Sequence, residues 1–204
     1  MATAFAKITF TPSVKAAQNR YGSREANSRF EFADDPGFGM TEQEVEFIGE
    51  RDSFYRATVS ESGWPYVQHR GGPKGFLKVL NEHTLGFADF RGNRQYLSVG
   101  NLNANDRISL ILMDYPNRRR LKIWGRVRIV HEYEDPELIA QLEVSSYRAR
   151  VERGIVIHVE ACEWNCHQYI THRYSKAEVN ELLAPLLLEI QSLKAQLNLS
   201  TPST

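Results

Sequence analysis

The chain has 204 residues, 42% hydrophobic and 25% charged, with 25 basic residues balanced by 25 acidic ones. Zero formal charge argues against a dedicated nucleic-acid binder, no apolar run approaches the roughly 20 residues of a membrane span, and two cysteines are too few for a disulfide framework. The segment Met1–Phe10 has neither the apolar core nor the cleavage site of a signal peptide, so the expectation is a cytoplasmic protein of one domain.

The first 40 residues are polar and punctuated by Pro12, Gly22, Pro36, Gly37 and Gly39, which predicts an irregular arm lying over the domain or over a partner. Thr41 and Glu44 form a capping box ahead of Val45, Phe47 and Ile48, so a helix starts there. Phe54–Ser60, the turn Glu61-Ser62-Gly63 and the extended run Trp64–Arg70 read as a hairpin. Thr84–Asp89 is a further strand, and Asn93 is placed to cap a helix running through Asn101. Arg107–Asp114 reads as a buried strand, and Arg119–His131 as a longer one that alternates at Leu121, Ile123, Val127 and Ile129.

Asp135–Ser146 is a predicted helix with Pro136 in its first turn, and Gly154–Cys162 is a predicted strand. A last helix, Ser175–Leu197, opens with a second capping box, Ser175 and Glu178, and repeats apolar residues at spacings of three and four; Pro185 should kink it. The expected fold is mainly β with flanking helices, a barrel of six antiparallel strands over residues 41–174, preceded by an arm (1–40) and followed by a helix and tail (175–204).

Four stretches carry potential chemistry. Pro65–Phe76 (PYVQHRGGPKGF) ends a strand in glycines flanked by His69, Arg70 and Lys74, which suits close approach of an anion or, equally, a hairpin with solvated basic residues. Phe87–Leu97 (FADFRGNRQYL) sets Asn93, Arg94 and Gln95 at a strand-to-helix junction, where free N–H groups and a guanidinium suit a phosphate; an ordinary cap with surface arginines fits it as well. Asn117–Arg120 is a basic turn. Ala161–Tyr174 (ACEWNCHQYITHRY) reads as an aromatic wall around Trp164, His167 and Gln168. On an extended strand Cys162 and Cys166 stand roughly 13 Å apart, so no metal site is expected. There is no G-x-S-x-G nucleophile elbow.

In order and spacing, G-W-P-Y-V-Q-H-R-G-G, F-A-D-F-R-G-N-R-Q-Y-L and R-L-K-I-W-G-R-V resemble the pyridoxamine 5'-phosphate oxidase-related flavoproteins over about Thr41 to Tyr174. The resemblance implies an FMN-binding split barrel, homodimeric, with a flavin at each of two sites between the subunits. Gln68 then stands where the oxidases place a phosphate-binding arginine, and His69, Arg70 and Gly71 continue that strand past the flavin. Asp89 and Phe90 lie beside the ring and ribityl chain, and Asn93, Arg94 and Gln95 match the run that holds the phosphate. Arg120 falls where the oxidases carry a glutamine near the flavin of the second subunit, Trp164 resembles the tryptophan closing the site, and His167 is a candidate proton donor. The C-terminal R-L-H-D-R segment that grips pyridoxal phosphate is absent, so FMN is expected to be retained and the vitamin substrate lost. An FMN-dependent oxidoreductase and a non-catalytic binder of flavin, haem or deazaflavin both remain open, as does an interaction role for the last helix; no substrate is implied.

Overall fold

A computed structural model describes residues 3–32, 39–164 and 166–200. The chain forms two compact units, one of residues up to Asp114 with Arg119–His167, the other of Tyr115–Arg118 with Gln168 onward.

In the first unit three short helices, α1 (Thr3–Thr9), α2 (Pro12–Arg20) and α3 (Arg24–Phe32), replace the expected irregular arm. Pro12 starts a helix here instead of breaking one: it occupies the first turn, and the Val14 amide donates to Thr11 Oγ1 at 3.4 Å. Lys15 of α2 donates to Glu31 of α3, and Arg24 of α3 donates to Gln18 Oε1 of α2 at 3.0 Å, tying the two helices together, while Phe5 packs on Trp124 with ring centres 5.4 Å apart. Pro36 and Gly37 lie outside the described residues.

Helix α4 (Glu42–Gly49) begins at the Thr41–Glu44 capping box as expected. Seven antiparallel strands, not six, follow: β1 (Ser53–Val59), β2 (Pro65–Gly71), β3 (Lys78–Asn81), β4 (Thr84–Phe90), β5 (Arg107–Asp114), β6 (Arg119–Val130) and β7 (Val151–Trp164), in the order β2-β1-β5-β6-β7-β4-β3. The unexpected strand is β3, only four residues long and too short for alternation to show. The ladder does not close into a barrel, since β2 and β3 remain its edges. It curls, however: Arg70 on β2 ion-pairs with Asp89 on β4, although four strands lie between them in the sheet.

The curl encloses a core of Leu110, Leu112, Leu121, Ile123, Ile155 and Ile157 around a cluster of aromatic rings, Phe54 stacked on Phe76 at 5.4 Å and edge-on to Phe87 at 5.2 Å. Each such fully buried side chain contributes about 1.5–3 kcal/mol of transfer free energy. At Gly125 a bulge brings β6 so close to β7 that a Cβ would stand 2.4 Å from the His158 carbonyl oxygen.

Helix α5 (Leu97–Ala104) starts three residues later than its sequence suggests, with Tyr96 and not Asn93 at the cap position. Asn93 does not cap it, because its Oδ1 accepts from the Gln95 amide at 3.2 Å in a local turn. The backbone then turns through left-handed conformations at Arg94 (φ 64) and Tyr96 (φ 54) before the helix begins. Helix α6 (Pro136–Leu142) is capped by Asp135 and stops before Ser146; Lys78 Nζ donates to the carbonyls of Gln141 at 2.6 Å and Glu143 at 2.8 Å at its end. In the second unit α7 (Lys176–Ser200) is capped by Ser175 and runs on through Pro185. No helix among the described residues is long and apolar enough to cross a membrane.

Candidate functional site

Alternation on β1 sends Phe54, Arg56 and Thr58 to the inner face, and on β2 it sends Tyr66, Gln68 and Arg70 there. Of these, Arg56, Tyr66, Gln68 and Arg70, with Asp89 and Phe90 at the end of β4, the turn Gly92–Tyr96, the first residues of α5 and Glu152 of β7, line a cavity of about 280 Å³.

Arg56 is the unusual member. It is only 3% exposed, and burial, opposed by the Asp89 charge, lowers its pKa to about 10. Its Nε and Nη2 donate to Gln68 Oε1 at 3.2 and 2.8 Å, while Nη1 is buried without a hydrogen-bond partner. A buried guanidinium with an unused donor is costly unless something answers it.

The rest of the lining has the same bias. Gln68 Oε1 also accepts from Ser98 Oγ at 3.1 Å, so three donors fix the amide and leave its NH₂ as the polar group available to a ligand. That Ser98 bond, and Asn101 Nδ2 to Thr58 Oγ1 at 3.0 Å, pin α5 to β2 and β1. Its first turn carries no acidic residue and no side-chain cap, so the amides of the first turn and the positive end of the helix are open to an anion.

Three guanidiniums line the cavity, those of Arg56, Arg70 and Arg94, against the carboxylates of Asp89 and Glu152. Both carboxylates are engaged. Asp89 lies between Arg70 and Arg153, the latter at 3.6 Å, and Glu152 accepts from Arg153 at 2.8 Å and from the Tyr96 hydroxyl at 3.2 Å. Arg94 donates from Nε to the Tyr96 hydroxyl at 3.5 Å, which raises its pKa. The arrangement is donor-rich and carries a positive surplus, which suits a phosphate.

Of the residues singled out in the sequence, Gln68, Arg70, Asp89, Phe90, Asn93, Arg94 and Gln95 share this cavity. His69 and Gly71 fall on the opposite, exposed face of β2, where His69 packs on Tyr55 with ring centres 5.3 Å apart. Arg120, Trp164 and His167 do not line it. Trp164 Nε1 donates to Glu44 Oε1 at 2.5 Å, with Arg119 stacked 4.6 Å above its ring; Arg120 donates to the Cys166 carbonyl at 3.5 Å; and His167 is exposed. Gln168 belongs to the second unit. Among the described residues no three His, Cys, Asp or Glu side chains converge as metal ligands.

Arg56, Ser98, Glu152 and Arg153 escaped the sequence reading. Arg56 left a detectable signal, an arginine in register with Phe54 and Thr58 on an inward strand face. The carboxylate of Glu152 and the guanidinium of Arg153 reach the site only through the β4–β7 pairing, which sets Asp89 against Arg153.

No curated protein matches the sequence. Solved structures similar to this chain include HupZ of Group A Streptococcus (19% identity, covering 66% of this chain and 100% of that one, TM-score 0.47). Another is a protein of Clostridium acetobutylicum related to general stress protein 26, of the pyridoxinephosphate oxidase family (16% identity, 61% and 87% coverage, TM-score 0.45). A third is an FMN-binding protein of Syntrophomonas wolfei (11% identity, 60% and 86% coverage, TM-score 0.43). The profile of the family described as pyridoxamine 5'-phosphate oxidase matches residues 40–163, well over half of the sequence, and the chain therefore belongs to that family.

Proposed function

We propose that this protein binds FMN through its phosphate, in the cavity between β1, β2, β4 and the start of α5, and acts in flavin-dependent oxidoreduction. Arg56 carries the reading: a guanidinium 3% exposed, with Nη1 unpartnered, in a cavity of positive surplus. A phosphate dianion answers both the charge and the unused donors. Membership of the family supports a flavin as the body attached to that phosphate. A volume of about 280 Å³ suits the phosphate and polyol end, so the ring system has to extend beyond it.

Arg56, Arg94 and the first amides of α5 would hold the phosphate oxygens. Gln68, clamped by Arg56 and Ser98, would offer its NH₂ beside them, and Asp89, held between Arg70 and Arg153, would present a fixed acceptor to hydroxyls of the sugar chain. Bound FMN supplies hydride and single-electron transfer. The same reading takes the protein as a cytoplasmic homodimer in which the surface around Arg120, Trp164 and His167 faces the second copy's flavin, with a substrate other than the vitamin.

Titration of flavin-free protein with FMN and with riboflavin, followed by flavin fluorescence, tests the assignment. FMN should bind at least tenfold more tightly; equal affinities would refute the phosphate site. Anaerobic addition of NADH and NADPH tests the redox half: binding without reduction by either would favour a flavin carrier over a nicotinamide-dependent reductase.

A further inference from the structure

The seam of α7 is unused by the flavin reading and has a finer pattern than a general apolar face. Val179, Leu183, Leu186, Ile190, Leu193 and Leu197 alternate spacings of four and three without a break, giving the d and a positions of nearly three heptads. All six are between 39% and 68% exposed. They run roughly 27 Å along the helix. Pro185 falls at a c position on the outer side, so the backbone hydrogen bond it forfeits, to the Glu181 carbonyl, is also away from the seam.

We propose that α7 pairs with α7 of a second copy of this chain as a parallel, in-register, two-stranded coiled coil. The flanking residues select this occupant and this orientation. In a parallel pair each g position faces the e position five residues later on the other helix. Here that sets Glu189 against Lys194 of the second copy, and Leu182 against its Leu187, so charge meets opposite charge and the extra leucines beside the seam meet each other. An antiparallel pair sets g against g and e against e, which brings together no opposite charges, because Glu189 is the one charged g residue and Lys194 the one charged e residue between Val179 and Leu197. At the middle of the seam Ile190 at a between Leu186 and Leu193 at d matches the packing favoured in two-stranded coils, while leucines hold the other two a positions.

Disulfide trapping in the full-length chain tests this. With the exposed Cys166 replaced (Cys166→Ser), Leu193→Cys at a d position should cross-link two chains under mild oxidation at least tenfold faster than Leu188→Cys at an outward f position. Equal rates, or no cross-link at 193, would overturn the proposal. In the Leu193→Cys background, Glu189→Lys should slow cross-linking several-fold and Glu189→Lys with Lys194→Glu should restore it; a double variant as slow as the single one would overturn the parallel g-to-e pairing. A dimer made through the sheet alone gives no such difference between positions.

Discussion

Replacing Arg56 by methionine should loosen FMN while leaving the flavin-free protein as stable as before or more so. Burial holds the guanidinium pKa at about 10, well below the ordinary arginine range, and a depression of that size corresponds to about 3 kcal/mol of folding free energy lost at neutral pH. The sign follows from linkage: the folded state binds the proton less tightly than the unfolded chain, so the destabilisation is complete below pH 10 and fades only as the pH rises through the folded-state value. Methionine removes that term but also the two bonds to Gln68 Oε1, worth about 0.5–1.5 kcal/mol each. The apoprotein should therefore gain between zero and about 2 kcal/mol at pH 7, a rise of up to several degrees in Tm for a chain of this length. The bound state loses a charge-assisted contact of about 1.5–3 kcal/mol, or roughly 10- to 100-fold in FMN affinity, and riboflavin binding should barely change. Fluorescence titration and thermal unfolding of the apoprotein measure both quantities. An FMN affinity within twofold of the parent, or an equal loss for riboflavin, would refute the reasoning. The exchange Arg56→Gln with Gln68→Arg, across a directly opposed pair, should recover much of what Arg56→Gln loses.

Glu44 is pushed up by burial, but hydrogen bonds from Thr41 and the Trp164 indole outweigh this and leave its pKa below the usual carboxylate value. Its contribution is thus present above that usual value and lost as pH falls through the depressed one: Glu44→Gln should lower the urea midpoint clearly at pH 7, by a margin that shrinks as the pH falls below the usual carboxylate value. Gly125→Ala drives a Cβ to 2.4 Å from a strand carbonyl and should destabilise the protein by more than about 2 kcal/mol, read by chemical denaturation. Burial pushes the Cys162 thiol up to about 12, so a maleimide at pH 7.5 should label the folded protein once, at exposed Cys166, and the unfolded chain twice.

The sequence was most legible where one periodicity ran uninterrupted. Residues 107–114 and the start at Arg119 are read correctly because Ile108, Leu110 and Leu112 alternate cleanly against Leu121 and Ile123. Both capping boxes mark true helix starts because their reciprocal bonds are local. Asn93 misled because an asparagine before a helix can close a turn on itself as readily as cap, and the left-handed residues Arg94 and Tyr96 that delay α5 carry no glycine to announce them. The N-terminal helices were hidden by polarity: α2 and α3 bury no residue of their own and hold together through the Lys15–Glu31 ion pair and the Arg24–Gln18 hydrogen bond. Within the site, Gln68 and Arg70 were separable from His69 and Gly71 by parity alone, since adjacent residues of a strand leave opposite faces.

Arg56 shows why a site read position by position can look poorer than it is. Aligned by resemblance, Gln68 registers as a lost phosphate-binding arginine. The ladder sets Arg56 directly opposite Gln68, both side chains leave the same inner face, and opposed Cβ atoms in such a pair stand only about 5 Å apart. An arginine is long enough to cover that distance, so the positive charge persists in the same cavity from the neighbouring strand. The glutamine then serves a different purpose, because its carbonyl collects Arg56 and Ser98 and so fixes the guanidinium and the start of α5 with one acceptor. A helix end, a guanidinium and an amide positioned through a single oxygen are mutually dependent. Losing the acceptor at Gln68 would therefore disturb both donor sets, whereas losing Arg94, exposed in its turn, would remove only its own contact.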